Sequence, residues 1–171
     1  NLWNAAKNGK LKTRAQVLRQ AKRMAQDLRA RVKMREFFHQ WLKMDEAEDL
    51  AKDEKLFPGF DDRIVSDLRT SLDFFVEDIL WSEASDYRQL LLANQMFVNK
   101  SLAKFYKVEE PEKGGFQKVS LDPKERTGVV THPYLLTTFA YADSTSPIHR
   151  GVFITRNMLG RTLKPPPVAV S

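Results

Sequence analysis

DDRIVSDLRTSLDFFVEDIL, residues 61–80, decides the fold class. Ile64, Val65, Leu68, Leu72, Phe75 and Ile79 recur at helical spacing, which predicts a long amphipathic helix with one apolar face. Asp61 and Asp62 stand at its start, where the helix dipole favours anions. The acids Asp61, Asp62, Asp67, Asp73, Glu77 and Asp78 could be taken for the paired carboxylates of a hydrolase. No histidine or aromatic sugar platform accompanies them, so they are expected on the solvated face and no catalytic residue is assigned.

Upstream, DEAEDLAKDEKLFPGF (residues 45–60) is charged and ends in a Pro-Gly turn signal, so it reads as a connection. Before it, Thr13 and Gln16 match a capping box, followed by Val17, Leu18, Ala21, Met24, Ala25 and Leu28 at helical spacing. Arg14, Arg19, Lys22 and Arg23 form a basic face on this helix. Asp27 either caps a second helix or lies inside a continuous one. Val32, Met34, Phe37, Phe38, Trp41 and Leu42 add apolar bulk expected in the core.

Downstream, Ser85 is expected to cap a short helix through Leu90 to Leu92, and Phe97 to Tyr106 reads as another, with Leu102, Phe105 and Tyr106 inward. Residues 108–128 differ in kind. Proline, Gly114-Gly115, the alternation of Phe116, Val119 and Leu121, then Asp122-Pro123 suggest a hairpin or irregular β excursion. Residues 131–144 read as a buried strand or a short helix. Ser146-Pro147 opens the last helix, Ser146 as cap and Pro147 at the first helical position, and Gly160 closes it. Pro165, Pro166 and Pro167 then form an extended tail.

The fold class is therefore mainly α: an orthogonal bundle of five or six helices whose stripes close over one another, with a small β excursion and a Pro-rich C-terminal tail. Two regions are expected, 1–107 (amphipathic helices) and 108–171 (hairpin or loop, terminal helix and tail), packing on the same core.

With 171 residues, 42% of them hydrophobic, and eleven Phe, the chain can build a sizeable core. The absence of cysteine excludes disulfides, a thiolate nucleophile, Cys-ligated zinc and covalent haem attachment within this chain. No apolar run approaches the roughly 20 residues that span a bilayer. Beginning at NLWNAAKNGKL without Met or a signal pattern, the chain is expected to be a cut or processed piece. Its net charge of +6 is uneven: residues 1–44 hold 12 Lys and Arg against 2 acids, residues 45–110 hold 8 against 16, and residues 111–171 hold 8 against 4. The basic segment either docks on the acidic middle, the preferred reading, or meets nucleic acid, which is not expected because no RNA- or DNA-binding module is visible.

His39, His132 and His149 lack the spacing that puts two ligands on one helix face, so no metal site is assigned. His132 precedes Pro133 and is expected to be a core or hydrogen-bonding residue. At the start of the last helix, Thr145, Ser146, His149, Arg150 and Gly151, with His132 as a further neighbour, are the candidate contacts for a ligand or partner. A helical glycine costs about 1 kcal/mol relative to alanine. Gly151 therefore implies close approach of another backbone or a ligand. Arg150 would pair with a carboxylate, either a propionate or, preferably, an acid of the helix beginning at Asp61.

LFPGFDDRIVSDLRTSLDFFVEDIL, LLLANQMFVNKSLAKFY, FQKVSLDPKERTGVVTHPYLLTTFA and above all TSPIHRGVFITRNMLGRTLKPPP resemble the adjoining domains of unknown function 1592 and 1588. These occur in large exported cytochrome c-like proteins of planctomycetes and related bacteria. AAKNGKLKTRAQVLRQAKRMAQDLRA followed by FFHQWLKMD resembles the upstream part of the same block. The resemblance implies a scaffold or pocket-wall module of an exported, periplasmic or cell-surface, haem-associated protein. Its alternative is a structural or interaction domain with no redox role. It further implies haem c held by C-x-x-C-H motifs in other segments of the parent protein, none bound covalently here, and other domains of the same or a companion polypeptide as partners.

Overall fold

The computed structural model describes residues 1–46 and 50–164. The Pro-rich tail expected at residues 165–167 lies outside the described residues. Contacts divide the chain into two compact units, Asn1–Gln40 and Trp41–Ser171.

The first unit carries helices α1 (Leu2–Lys7), α2 (Arg14–Ala25) and most of α3 (Leu28–Trp41). The capping box is present: Thr13 Oγ1 accepts from Gln16 N–H at 3.3 Å, and Gln16 Oε1 accepts from Thr13 N–H at 3.1 Å. Asp27 opens a separate helix, since its Oδ1 accepts from Arg29 N–H at 3.0 Å and both its oxygens receive the Arg29 guanidinium at 2.8 Å. That guanidinium holds the Asp27 carboxyl well below the usual carboxylate range. The expectation that the α2 stripe closes over a core is corrected, because no residue of α2 is buried. Val17, Leu18 and Met24 stand exposed, as do Val32 and Phe37 of α3, and Phe38 is the buried residue of α3.

In the second unit, α4 (Asp62–Leu80) is the axis. Asp61 Oδ1 accepts from Ile64 N–H at 2.9 Å, and Ile64, Leu68, Leu72, Phe75 and Ile79 are buried as expected, together with Ser71 and Val76. α4 packs against α5 (Gln89–Leu92), strand β1 (Gln95–Val98), α6 (Lys100–Tyr106) and α7 (Pro133–Thr138). Strand β2 (Gln117–Ser120) pairs antiparallel with β1, and Phe97 faces Lys118 in that register. Finally α8 (Pro147–Phe153) runs on into a π-helical turn, Ile154–Met158. Trp41 Nε1 donates to Asn157 O at 2.7 Å and Asn157 Nδ2 donates to Trp41 O at 2.8 Å, so this turn is tied to the unit's first residue.

Three local expectations are corrected. Phe97 and Val98 are strand rather than helix, because Val98 fills the core from a β position that its branched side chain favours. Of the two readings for residues 108–128 the irregular excursion holds and the local hairpin does not: β2 pairs with β1, from which α6 separates it in sequence. Ser85 does not cap α5. It has φ +42° and its hydroxyl donates to Leu80 O, while Asp86 Oδ1 accepts from Arg88 N–H. Eight α-helices stand among the described residues instead of five or six. The additions are short ones such as α1 and α7, too brief to show a helical period.

Candidate functional site

A cavity of about 340 Å³ opens between the 52–60 segment, the end of α6, α7 and the start of α8. Its wall is aromatic: Phe57, Phe60, Phe105, Tyr106 and Tyr141, backed by Leu136 and Ala140. The Pro58-Gly59 turn places Phe60, with Gly59 at φ +81° and Phe60 N–H donating to Phe57 O at 3.1 Å. Phe60 meets Phe105 edge-on at 6.0 Å, and Phe105 meets Tyr106 at 5.2 Å. Burial pushes the Tyr106 phenol up to about 12, so it is a protonated donor at neutral pH.

The polar edge of the cavity is held by backbone ties. Tyr141 N–H donates to Ser144 O at 2.9 Å, Ala140 bridges Thr145, and Asp53 N–H donates to Ala142 O at 2.9 Å. Lys52 Nζ spans the carbonyls of Thr137, Ala140 and Tyr141 at 3.0, 3.2 and 2.6 Å. Partial burial lowers the affinity of this ammonium for its proton, and three carbonyls saturate its three donors. Lys52 therefore fixes the rim and has no donor left for a ligand.

Arg150 does. It is half-buried and lines both this cavity and a second one of about 200 Å³ walled by Leu135, Phe139, Phe153 and Ile154. Its Nη2 donates to Thr145 Oγ1 at 2.8 Å. The expected pairing with an acid of α4 is corrected: among the described residues the hydrogen bond of Arg150 goes to this hydroxyl, leaving the rest of the guanidinium fork available.

The structure brings Thr145 and Arg150 together on the cavity wall and sets Ser146 behind them, 1% exposed, with its Oγ accepting from His149 N–H at 3.3 Å. His149 is exposed, its ring 5.2 Å from Tyr141. Gly151 is also exposed, and a Cβ there would meet nothing within 4 Å, so the expected close approach is absent. The glycine that carries one is Gly128. There φ is +66°, N–H donates to Ala93 O at 2.8 Å, and a Cβ would overlap the Leu91 backbone. His132 lies apart in the core. Its Nδ1 accepts from Tyr134 N–H at 3.3 Å and its Nε2 meets Ser71 Oγ at 3.3 Å. Burial, and secondarily the Arg126 charge, push its imidazole down to about 3, so it is neutral.

The lining of this aromatic cavity contains no Asp, Glu, His or Cys. Such a lining can bind a flat apolar body and pair with a carboxylate through Arg150, and it offers no carboxylate or imidazole as a general base. Both nitrogens of His132 are engaged, so it fits no ligating role either. Lys52, Phe57, Phe60, Phe105, Tyr106 and Tyr141 are not marked as site residues by sequence. The one local signal for any of them is Phe57-Pro58-Gly59-Phe60, a turn flanked by two rings.

Two family models match the chain. Residues 1–108 match PSD4, described as a protein of unknown function (DUF1592), and residues 126–171 match PSCyt3, described as a protein of unknown function (DUF1588). No curated protein and no solved structure matches it.

Proposed function

Because the chain belongs to the PSD4 family of proteins of unknown function (DUF1592), we propose that it is a scaffold and pocket-wall module of an exported, haem-associated protein. The name PSCyt3 supports a cytochrome-like context. The observation that carries the reading is the aromatic cavity with Arg150 at its edge. Five rings offer faces and edges to a planar macrocycle, and the free part of the guanidinium suits a propionate. A haem bound there would supply the redox chemistry, and Phe60, Phe105 and Tyr141 would contribute packing and exclusion of water. Arg150 contributes orientation. Any haem c of the parent protein is attached through other segments, and the partners are other domains of the same or a companion polypeptide.

The test is an absorbance titration of the chain with hemin. Binding with a sharpened Soret band is expected, and Arg150→Gln should weaken it about tenfold, the value of one charge-assisted hydrogen bond. Absence of saturable binding, or equal affinity in R150Q, overturns the reading. A second reading, an interaction domain without a redox role, is favoured by a different observation: the apolar side chains exposed in the first unit.

A further inference from the structure

The first unit presents a surface that the cavity does not explain. Residues 1–40 carry 11 Lys and Arg against Asp27 and Glu36. Within this basic field α2 buries nothing. At the helical 100° per residue, Val17, Leu18, Ala21, Met24 and Ala25 fall within an arc of about 120°, and Arg19, Lys22 and Arg23 lie outside it. Leu18 is 51% exposed, Leu28 72% and Trp3 74%. A helix of 12 residues with no packed face is marginal on its own, so this arc has something to gain from a cover.

Charge narrows the kind of cover. A second basic unit would be repelled, and nucleic acid would satisfy the cations while leaving Trp3, Leu18 and Leu28 in water. A strongly charged polar face on a helix that is polar overall, with Leu and Trp on the apolar side, is the combination that lies in a bilayer interface. We propose that Asn1–Gln40 docks on the surface of an anionic bilayer. The apolar arc of α2, with Trp3 and Leu28, enters the boundary between headgroups and acyl chains, and Arg19, Lys22 and Arg23, outside the arc, pair with lipid phosphates, while Arg14, inside the arc at the first helical position, reaches the headgroups along its aliphatic stem. This is peripheral attachment, since no described helix is long and apolar enough to cross a membrane.

The test is co-sedimentation of the chain with phosphatidylcholine vesicles, with and without about 30% phosphatidylglycerol, alongside tryptophan emission. Binding to the anionic vesicles is expected to be at least about tenfold tighter than to the neutral ones, and to weaken as salt rises from about 0.1 to 1 M. Emission should shift to the blue, and W3F should lose most of that shift. L18S/L28S touches only exposed positions and should weaken binding about tenfold with unchanged circular dichroism. The proposal is overturned by equal binding to both vesicles, by anionic-vesicle binding that L18S/L28S leaves intact without a blue shift, or by tighter binding to duplex DNA than to anionic vesicles. Salt-sensitive self-association that consumes the same surface, through the acidic 45–110 segment of another copy, overturns it as well.

Discussion

Gly128→Ala tests the packing of the second unit most sharply. Gly128 has φ +66° and ψ −176°, a region open to glycine and strained for any L side chain by about 1–3 kcal/mol. An added Cβ would also come within 2.6 Å of Leu91 Cα, and that neighbour is backbone. Relief requires moving the end of α5 away and stretching the bond from Gly128 N–H to Ala93 O, worth about 1 kcal/mol. We expect a loss of about 3 kcal/mol or more, or roughly 6–12 °C in melting temperature for a chain of this size. Urea denaturation followed by tryptophan fluorescence, with calorimetry beside it, measures both. Gly151→Ala is the internal control: it lies within α8 with open space around it, and alanine should stabilise by about 0.5–1 kcal/mol. If G128A falls within about 0.5 kcal/mol of the parent protein, the argument from close backbone approach is wrong.

The buried histidine gives a pH signature. With an imidazole near 3 when folded and an ordinary value of 6.5, the unfolded chain takes up a proton that the folded one refuses. The contribution of neutral His132 is thus complete above pH 6.5. It falls by about 1.4 kcal/mol per pH unit as pH drops towards 3. H132Q should flatten that part of the stability profile measured by denaturant midpoint against pH, and an unchanged slope would place the acid sensitivity elsewhere. Lys52→Met keeps the aliphatic stem and frees three carbonyls at the cavity rim, so we expect a loss of about 1–2 kcal/mol. Hydrogen exchange at Tyr141 should also quicken. Unchanged exchange there would mean that the backbone ties alone hold the turn.

Much of the second unit could be read one residue at a time. The α4 stripe, the Asp61 and Ser146 caps, the Pro147 start and the Pro58-Gly59 turn depend on spacing and local hydrogen bonding, as does the Thr13 cap in the first unit, and a linear sequence contains both. Thr145 and Arg150 were legible as candidates for the same reason. The other side of the cavity was not, because Lys52, Phe57 and Phe60 meet Leu136, Tyr141 and Arg150 only through the fold, 76 to 98 positions along the chain.

Periodicity states which face of a helix is apolar, and composition states that the first forty residues are basic. Neither says whether that face finds a partner. In α4 it is covered by β1, α6 and α7, and in α2 it stays exposed, although the two stripes look alike as sequence. The glycines divide in the same way. Gly128 and Gly151 are equally visible in the chain, but the positive φ of Gly128 and the approach of the Leu91 backbone make one indispensable, and open space leaves the other replaceable. Local propensity is a property of neighbours in sequence, whereas burial is a property of neighbours in space, and the cavity, the place of Arg150 in its wall and the exposure of the α2 stripe all belong to the second kind.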